Sequence, residues 1–251
     1  MDLVHTYAAG DQVASADLNG IQTQAASLYQ VAWSWRGRRP TLACDGANII
    51  VGGHQGCAAG TAQSDALLIA GSGLTTTALS GRTGSTWYYV YAYNVAGVCT
   101  YEWSTTVPDP SCSTKTGDGT RAYVGCFYAT GAATARPFRM IGGRYVYRTS
   151  AVAPMLPLSA GTSAAWADVS LTAYVPPHAR LAGLRAKVTW SSGVAALQAR
   201  TKGDTTNQLE IILSTGIEYS LFELETDSSQ QIQYKIVNGA SADLEMANFS
   251  E

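Results

Sequence analysis

Seven consecutive residues, Trp87-Tyr88-Tyr89-Val90-Tyr91-Ala92-Tyr93, constrain this chain more than any other stretch. Aromatic and β-branched side chains suit a pleated, packed surface and lose rotamer freedom in a helix. On a strand, alternate residues point to opposite faces. Trp87, Tyr89, Tyr91 and Tyr93 then line one side, and Tyr88, Val90 and Ala92 the other. Neither side carries a charge, so both faces of this strand have to be covered. Asn94 to Gly97 reads as a turn and Val98–Trp103 as the returning strand of a hairpin. After the breakers Pro108-Asp109-Pro110 and Thr116-Gly117-Asp118-Gly119, further strands are expected at 121–128 and 144–148. The result is a tyrosine-rich β-meander.

Upstream, the pattern is different. Ser15 is a good helix N-cap, and Leu18, Ile21, Ala25 and Leu28 follow at spacings of three, four and three. That is an a/d seam about two repeats long, too short to be stable alone in water, so it has to pack on something. It can pack on its own β-domain or on copies of itself; the narrow seam favours the second, which makes Leu18, Ile21, Ala25 and Leu28 the expected oligomerisation residues. Residues 1–32 are thus read as an oligomerisation segment with a short α-helix.

From Trp33 the chain reads as β. Thr41–Cys44 and Asn48–Val51 flank the turn Asp45-Gly46-Ala47, Ala66–Ala70 is a short strand, and the Gly/Thr/Ser-rich stretch 71–86 is a loop. Residues 33–149 form an aromatic-rich β-domain in this reading, and 150–165, with Pro154 and Pro157, a linker. Strands near 166–175, 183–190, 195–201, 208–213, 217–225, 230–237 and 242–249 follow in residues 166–251. Leu184, Ala186, Val188 and Trp190 alternate with Arg185, Lys187 and Thr189, which gives one core face and one wet face. The fold class expected is mainly β: a short N-terminal helix, then two antiparallel sandwich-like domains, the second jelly-roll-like.

Charge and length bound the function. A formal net charge of −2 gives no electrostatic reason to expect a nucleic-acid partner. Only 14% of the residues are charged, against a typical quarter, which leaves few lysines to blunt sheet edges and favours oligomerisation. No stretch approaches the roughly 18 apolar residues of a membrane span. Met1-Asp2-Leu3-Val4-His5 lacks the basic head and apolar core of a secretory signal, so synthesis in a cytoplasm is expected. The five cysteines are an odd number. Cys44 with Cys57 and Cys99 with Cys112 can each close a short loop; reduced, half-buried thiols are the alternative.

Chemistry-bearing residues are sparse. His54 lies between Cys44 and Cys57, three ligand types that zinc accepts, but the spacing matches no common zinc module, and no metal or cofactor is expected. His5 and His178 have no serine or cysteine in an elbow-like context. Asp109, Asp118, Asp204, Glu218, Glu223 and Glu225 are explained by turns and wet strand faces, and no phosphate or dinucleotide loop occurs. No catalytic residue is assigned, and an enzyme is not expected. Tyr174 and His178, flanking Pro176-Pro177 in a connecting loop, are the candidate binding residues, because binding surfaces use rings as rigid contact area.

Ala9-Gly10-Asp11-Gln12-Val13-Ala14-Ser15-Ala16-Asp17-Leu18-Asn19 is similar to the N-terminal signature of tail-fibre and spike proteins of tailed bacteriophages and prophages. Thr86–Tyr91, Gly117–Gly125 and Arg136-Pro137-Phe138-Arg139 also resemble stretches of those proteins. The resemblance implies a non-enzymatic virion component, usually a homotrimer. Its N-terminus would attach to other virion proteins, and its distal β-domain would face a host-surface glycan or protein or a neighbouring virion protein. The absence of a long shaft favours a short spike, a fibre head, or a capsid or baseplate decoration. A depolymerase-like spike that processes glycans is the enzymatic alternative, and a secreted carbohydrate-binding module is the third.

Overall fold

The computed structural model describes residues 41–52, 74–95, 98–141, 143–148, 155–190, 194–206, 208–213 and 216–251, and only the backbone of 74–76, 94, 98–99 and 213. The expected helix with Leu18, Ile21, Ala25 and Leu28, and the expected strand Ala66–Ala70, lie outside these residues. What is described is strands joined by turns, with no helix among the described residues; no helix there is long and apolar enough to cross a membrane.

In chain order the strands are β1 (Thr41–Cys44), β2 (Asn48–Gly52), β3 (Leu74–Ala78), β4 (Thr86–Val95), β5 (Val98–Ser104), β6 (Thr114–Lys115), β7 (Asp118–Gly131), β8 (Thr134–Ala135) and β9 (Phe138–Ile141). Then follow β10 (Arg144–Tyr147), β11 (Leu158–Gly161), β12 (Ala167–Ser170), β13 (Leu181–Trp190), β14 (Ala195–Thr201), β15 (Leu209–Leu213), β16 (Gly216–Glu225), β17 (Gln231–Val237) and β18 (Ser241–Ser250). They make three antiparallel sheets. The largest runs β16-β13-β18-β10-β9-β1-β2-β3, with β11 also on β18; the others run β12-β17-β14-β15 and β5-β4-β7-β6, with β8 on β7.

The aromatic tract behaves as its alternation requires. β4 is the second strand of its sheet, paired with β5 from Tyr89↔Ser104 to Val95↔Val98 and with β7 on its other side. Tyr89, Tyr91, Val90 and Ala92 are all buried, so both faces are covered. Buried hydroxyls need partners: Tyr91 donates to Thr106 O at 2.7 Å, and Tyr88 accepts from Thr83 N at 2.9 Å. The first hairpin also forms as read. Asp45 Oδ1 accepts from the backbone N–H groups of Ala47 and Asn48 at 2.9 and 2.7 Å, and Gly46 takes φ +106°.

Three expectations are corrected. Leu74–Ala78, read as loop, is strand β3 on β2, because three consecutive threonines are good strand formers despite the glycines around them. The expected strand 166–175 stops at Ser170, where a turn begins: Tyr174 N and Val175 N both donate to Leu171 O. The linker reading of 150–165 fails at Leu158–Gly161, which pairs with β18. β18 is therefore shared. Along one edge it pairs with β13; along the other, Ala242–Leu244 faces β11 and Asn248–Ser250 faces β10. Through the β10–β18 pairing the largest sheet runs across the expected boundary, and the buried residues on both sides of it form one continuous hydrophobic cluster.

In the C-terminal part the core face of β13 (Ala182, Leu184, Ala186, Val188) and that of β17 (Ile232, Tyr234, Ile236) are buried, together with Leu197 and Ala199 of β14. This is sandwich-like packing of two sheets over one apolar layer. Gly161 permits one close contact there, since a Cβ at this position would lie 2.8 Å from the Tyr234 hydroxyl.

Candidate functional site

The segment between β12 and β13 carries both candidate binding residues, and the β4–β7 sheet and its neighbours hold it in place. Three consecutive carbonyls are each satisfied by a side chain from earlier in the chain. Trp87 Nε1 donates to Thr172 O at 2.7 Å, Arg136 Nε to Ala173 O at 2.9 Å, and the Tyr147 hydroxyl to Tyr174 O at 2.5 Å. A non-repetitive segment packed against protein needs such partners for its main chain. The Arg136 guanidinium also lies 4.1 Å from the Tyr174 ring centroid and 5.2 Å from that of Tyr128. Tyr174 is thus a half-buried packing residue under a cation, not a ring laid out on an open surface.

His178 is turned inward too, with its side chain 11% exposed. Its ring makes edge contacts with Tyr89 and Tyr123, at centroid separations of 5.4 and 5.6 Å. Nε2 lies 3.0 Å from Glu251 Oε1 and 3.1 Å from the Tyr123 hydroxyl. The same carboxylate oxygen accepts from the Tyr123 hydroxyl at 2.5 Å and from Cys126 Sγ at 3.7 Å. Three side chains from two other parts of the chain, β7 and the segment before β13, therefore converge on Glu251 Oε1. The Glu251 side chain is only 7% exposed, although its main chain is open to solvent.

The convergence depends on a fault in a strand. Tyr123 and Cys126 are three apart, a spacing that points side chains to opposite faces of a regular strand. Between Val90 and Tyr91 the β4–β7 register shifts: Val90 pairs with Gly125 but Tyr91 pairs with Tyr123, leaving Val124 without a cross-strand partner on β4. Cys126 pairs with Tyr89 and Tyr123 with Tyr91, and because Tyr89 and Tyr91 share a face, Tyr123 and Cys126 now do as well. The Tyr145 hydroxyl accepts from Cys126 N at 3.1 Å behind them.

The electrostatics follow from burial. Burial first, and the Glu251 charge second, pushes the Cys126 thiol well above its ordinary range. Burial likewise holds the Tyr123 phenol far up, with Cys126, Tyr145 and Glu251 adding to it. Both groups stay protonated at neutral pH and act as donors to Glu251 Oε1. A thiol kept protonated is not a nucleophile, so the cluster as it stands is a hydrogen-bonded tie between β7, the His178 segment and Glu251.

Of the expected site residues, the structure brings His178 into this cluster and leaves Tyr174 beside it under Arg136. Cys44 carries a free, buried thiol whose pKa burial raises to about 11; its expected partner Cys57 and the Cys99 side chain lie outside the described residues, and Cys112 is half-buried. Tyr123, Cys126 and Glu251 escaped the sequence reading. The one local signal was Gly125: a glycine inside a strand pattern marks a bulge or a close approach. Among the described residues, Cys126, His178 and Glu251 form the one group of three metal-capable side chains. No protein-family model matches this chain, and no curated protein sequence matches it.

Proposed function

We propose that the protein is a non-enzymatic structural and adhesion component of a tailed-phage virion, a short spike, fibre head or decoration, assembled as a homotrimer. In this reading the short helix with Leu18, Ile21, Ala25 and Leu28 gathers the copies and attaches them to other virion proteins. The C-terminal sandwich, of jelly-roll type, faces a host-surface glycan or protein or a neighbouring virion protein. The sequence resemblance of residues 9–19, 86–91 and 117–125 to tail-fibre and spike proteins motivates it.

The observation that carries the reading is a row of apolar side chains on a sheet edge. Ile217, Tyr219 and Leu221 are 55%, 58% and 72% exposed, and alternate along β16, the terminal strand of the largest sheet. An exposed edge strand with an apolar face is a place where another chain adds. β16 also carries Glu218, Glu223 and Glu225 and no cation of its own. Among the described residues only Glu223 is paired, with Arg144 at 2.6 Å, so two β16 strands paired with each other would bring the four other carboxylates to one seam. A contact between β16 and a different surface of the neighbouring copy avoids this, and a head-to-tail contact of that kind closes into a trimeric ring when each step turns by a third of a circle.

Light scattering on the purified full chain tests the assembly. A trimer mass at micromolar concentration is expected, and a monomer overturns the reading. Release of reducing ends from host polysaccharide would instead establish the glycan-processing alternative.

A further inference from the structure

We infer that Cys126, His178 and Glu251 form a binding site for one zinc ion, with Cys126 Sγ, His178 Nε2 and Glu251 Oε1 as ligands. The three donor atoms lie within 4.8 Å of one another. In a tetrahedral site, metal–ligand distances near 2.3 Å for sulfur and about 2.0–2.1 Å for nitrogen and oxygen place an N/O pair about 3.4 Å apart and an S/O pair about 3.6 Å apart. Here Nε2 to Oε1 is 3.0 Å and Sγ to Oε1 is 3.7 Å. For these two pairs, shifts of a few tenths of an ångström meet the tetrahedral spacing, and the third pair, Sγ to Nε2, lies within 4.8 Å.

Donor chemistry and charge select the ion. One thiolate, one imidazole and one carboxylate form a mixed set that suits zinc among the common divalent ions, whereas magnesium and calcium require oxygen ligands. A thiolate and a carboxylate together cancel the charge of a dication, so the loaded site is neutral, and a buried neutral assembly avoids the cost of an unpaired buried charge. The Tyr123 hydroxyl, 2.5 Å from Oε1, keeps donating to the carboxylate and fixes its orientation. Nε2 is the engaged nitrogen of His178, since buried Nδ1 has no hydrogen-bond partner among the described residues. The fourth position is left for water.

Loading moves protons in a countable way. The thiol S–H is replaced by S–Zn with release of one proton to solvent, and the imidazole takes the Nδ1–H tautomer so that the Nε2 lone pair faces the ion. Bound zinc would fasten β7, the segment before β13 and the residue after β18 together, giving three of the four hydrogen-bonded groups metal–ligand bonds that resist opening.

The test uses the full chain stripped with a chelator and titrated with Zn²⁺, and in parallel with Co²⁺ as a spectroscopic stand-in. One ion per chain is expected, with release of one proton near neutral pH and a thiolate-to-cobalt charge-transfer band. Cys126→Ala should abolish the band, and Glu251→Gln should weaken Zn²⁺ binding by at least about tenfold. Cys44→Ala and Cys57→Ala should leave both unchanged. If Cys126→Ala fails to fold, Glu251→Gln and His178→Gln decide the matter, because both keep a polar side chain of similar size in the cluster and remove only a ligand atom. Absence of one-to-one binding, or binding that survives Cys126→Ala or Glu251→Gln and is lost in Cys57→Ala, overturns the assignment. Because no arm reads oligomeric mass, the outcome is independent of the virion reading.

Discussion

Gly125 sits where no side chain fits. A Cβ at that position would lie 2.4 Å from the Tyr145 hydroxyl and 2.8 Å from Leu42 Cδ2. Leu42 can shift its methyl, but the Tyr145 hydroxyl is tied to Cys126 N, and Tyr145 is stacked on Phe249 at 4.4 Å between centroids. Gly125→Ala should therefore destabilise the protein by about 1–3 kcal/mol, the usual cost of overpacking a core. Equilibrium denaturation checks this, and a midpoint equal to that of the parent chain would show that the core around Tyr145 yields freely. Arg136 makes a second residue-scale case, since its planar guanidinium both donates to Ala173 O and lies over Tyr174. Lysine keeps the charge but loses the fork and the stacking plane. Arg136→Lys should cost about 1 kcal/mol and raise hydrogen exchange at the amides of Tyr174 and Val175, whose bonds to Leu171 O hold the turn. Unchanged protection there would mean that Trp87 and Tyr147 suffice to hold the segment.

Among elements, the tie between β5, β6 and β7 has a defined response to acid. Glu102 on β5 accepts from Lys115 of β6 at 2.8 Å and from Arg121 of β7 at 3.2 Å. Burial alone would raise its carboxyl, but the combined hydrogen bonds and charges of Lys115 and Arg121 outweigh burial and hold it below the ordinary value of 4.5. A carboxyl depressed in the folded state adds stability that is present above its unfolded pKa and is lost as pH falls through the folded pKa. Stability measured by denaturant should thus decline below about pH 4.5, with part of that slope absent in Glu102→Gln. An identical acid slope in the variant would remove Glu102 from the account. Asp109 works in the same direction in the neighbouring turn, where burial opposes, and hydrogen bonds from Ser113, Ser111 and Thr114 outweigh it. β7 shows how an element can carry more than its sequence suggests: one unpaired residue, Val124, redirects two side chains onto a shared face and so creates the Glu251 cluster.

For the whole molecule, the proposed assembly can be tested at both of its candidate contacts. Replacing Ile21 and Leu28 together by aspartate should dissociate the proposed trimer, and Tyr219→Lys with Leu221→Lys should weaken it without unfolding the chain, since both side chains of β16 are already exposed. Mass by light scattering reads both. If the trimer persists in the aspartate variant but not in the lysine variant, the β16 face holds the copies together and the helix does not. Persistence in both places the contact elsewhere.

What the sequence determined by itself was much of what depends on neighbours along the chain, though not the strand at Leu74–Ala78 or the turn after Ser170. Period-two alternation settled that Tyr89 and Val90 are both covered, that Leu184, Ala186 and Val188 point inward, and that Asp45-Gly46-Ala47 turns. The strands expected at 195–201 and 217–225 are found at Ala195–Thr201 and Gly216–Glu225 for the same reason. What only the tertiary structure decided was which strands lie side by side. The pairing of β10 with β18, the strand at Leu158–Gly161 and the inward turn of His178 all join residues far apart in the chain, and no local pattern encodes their encounter. Tyr123, Cys126 and Glu251 belong to that second kind: Glu251 is 125 residues from Cys126 and 73 from His178. Periodicity assigns a residue to a face, but bulges and sheet order choose what that face meets, because backbone hydrogen bonding is indifferent to sequence separation once the entropy of closing the loop has been overcome.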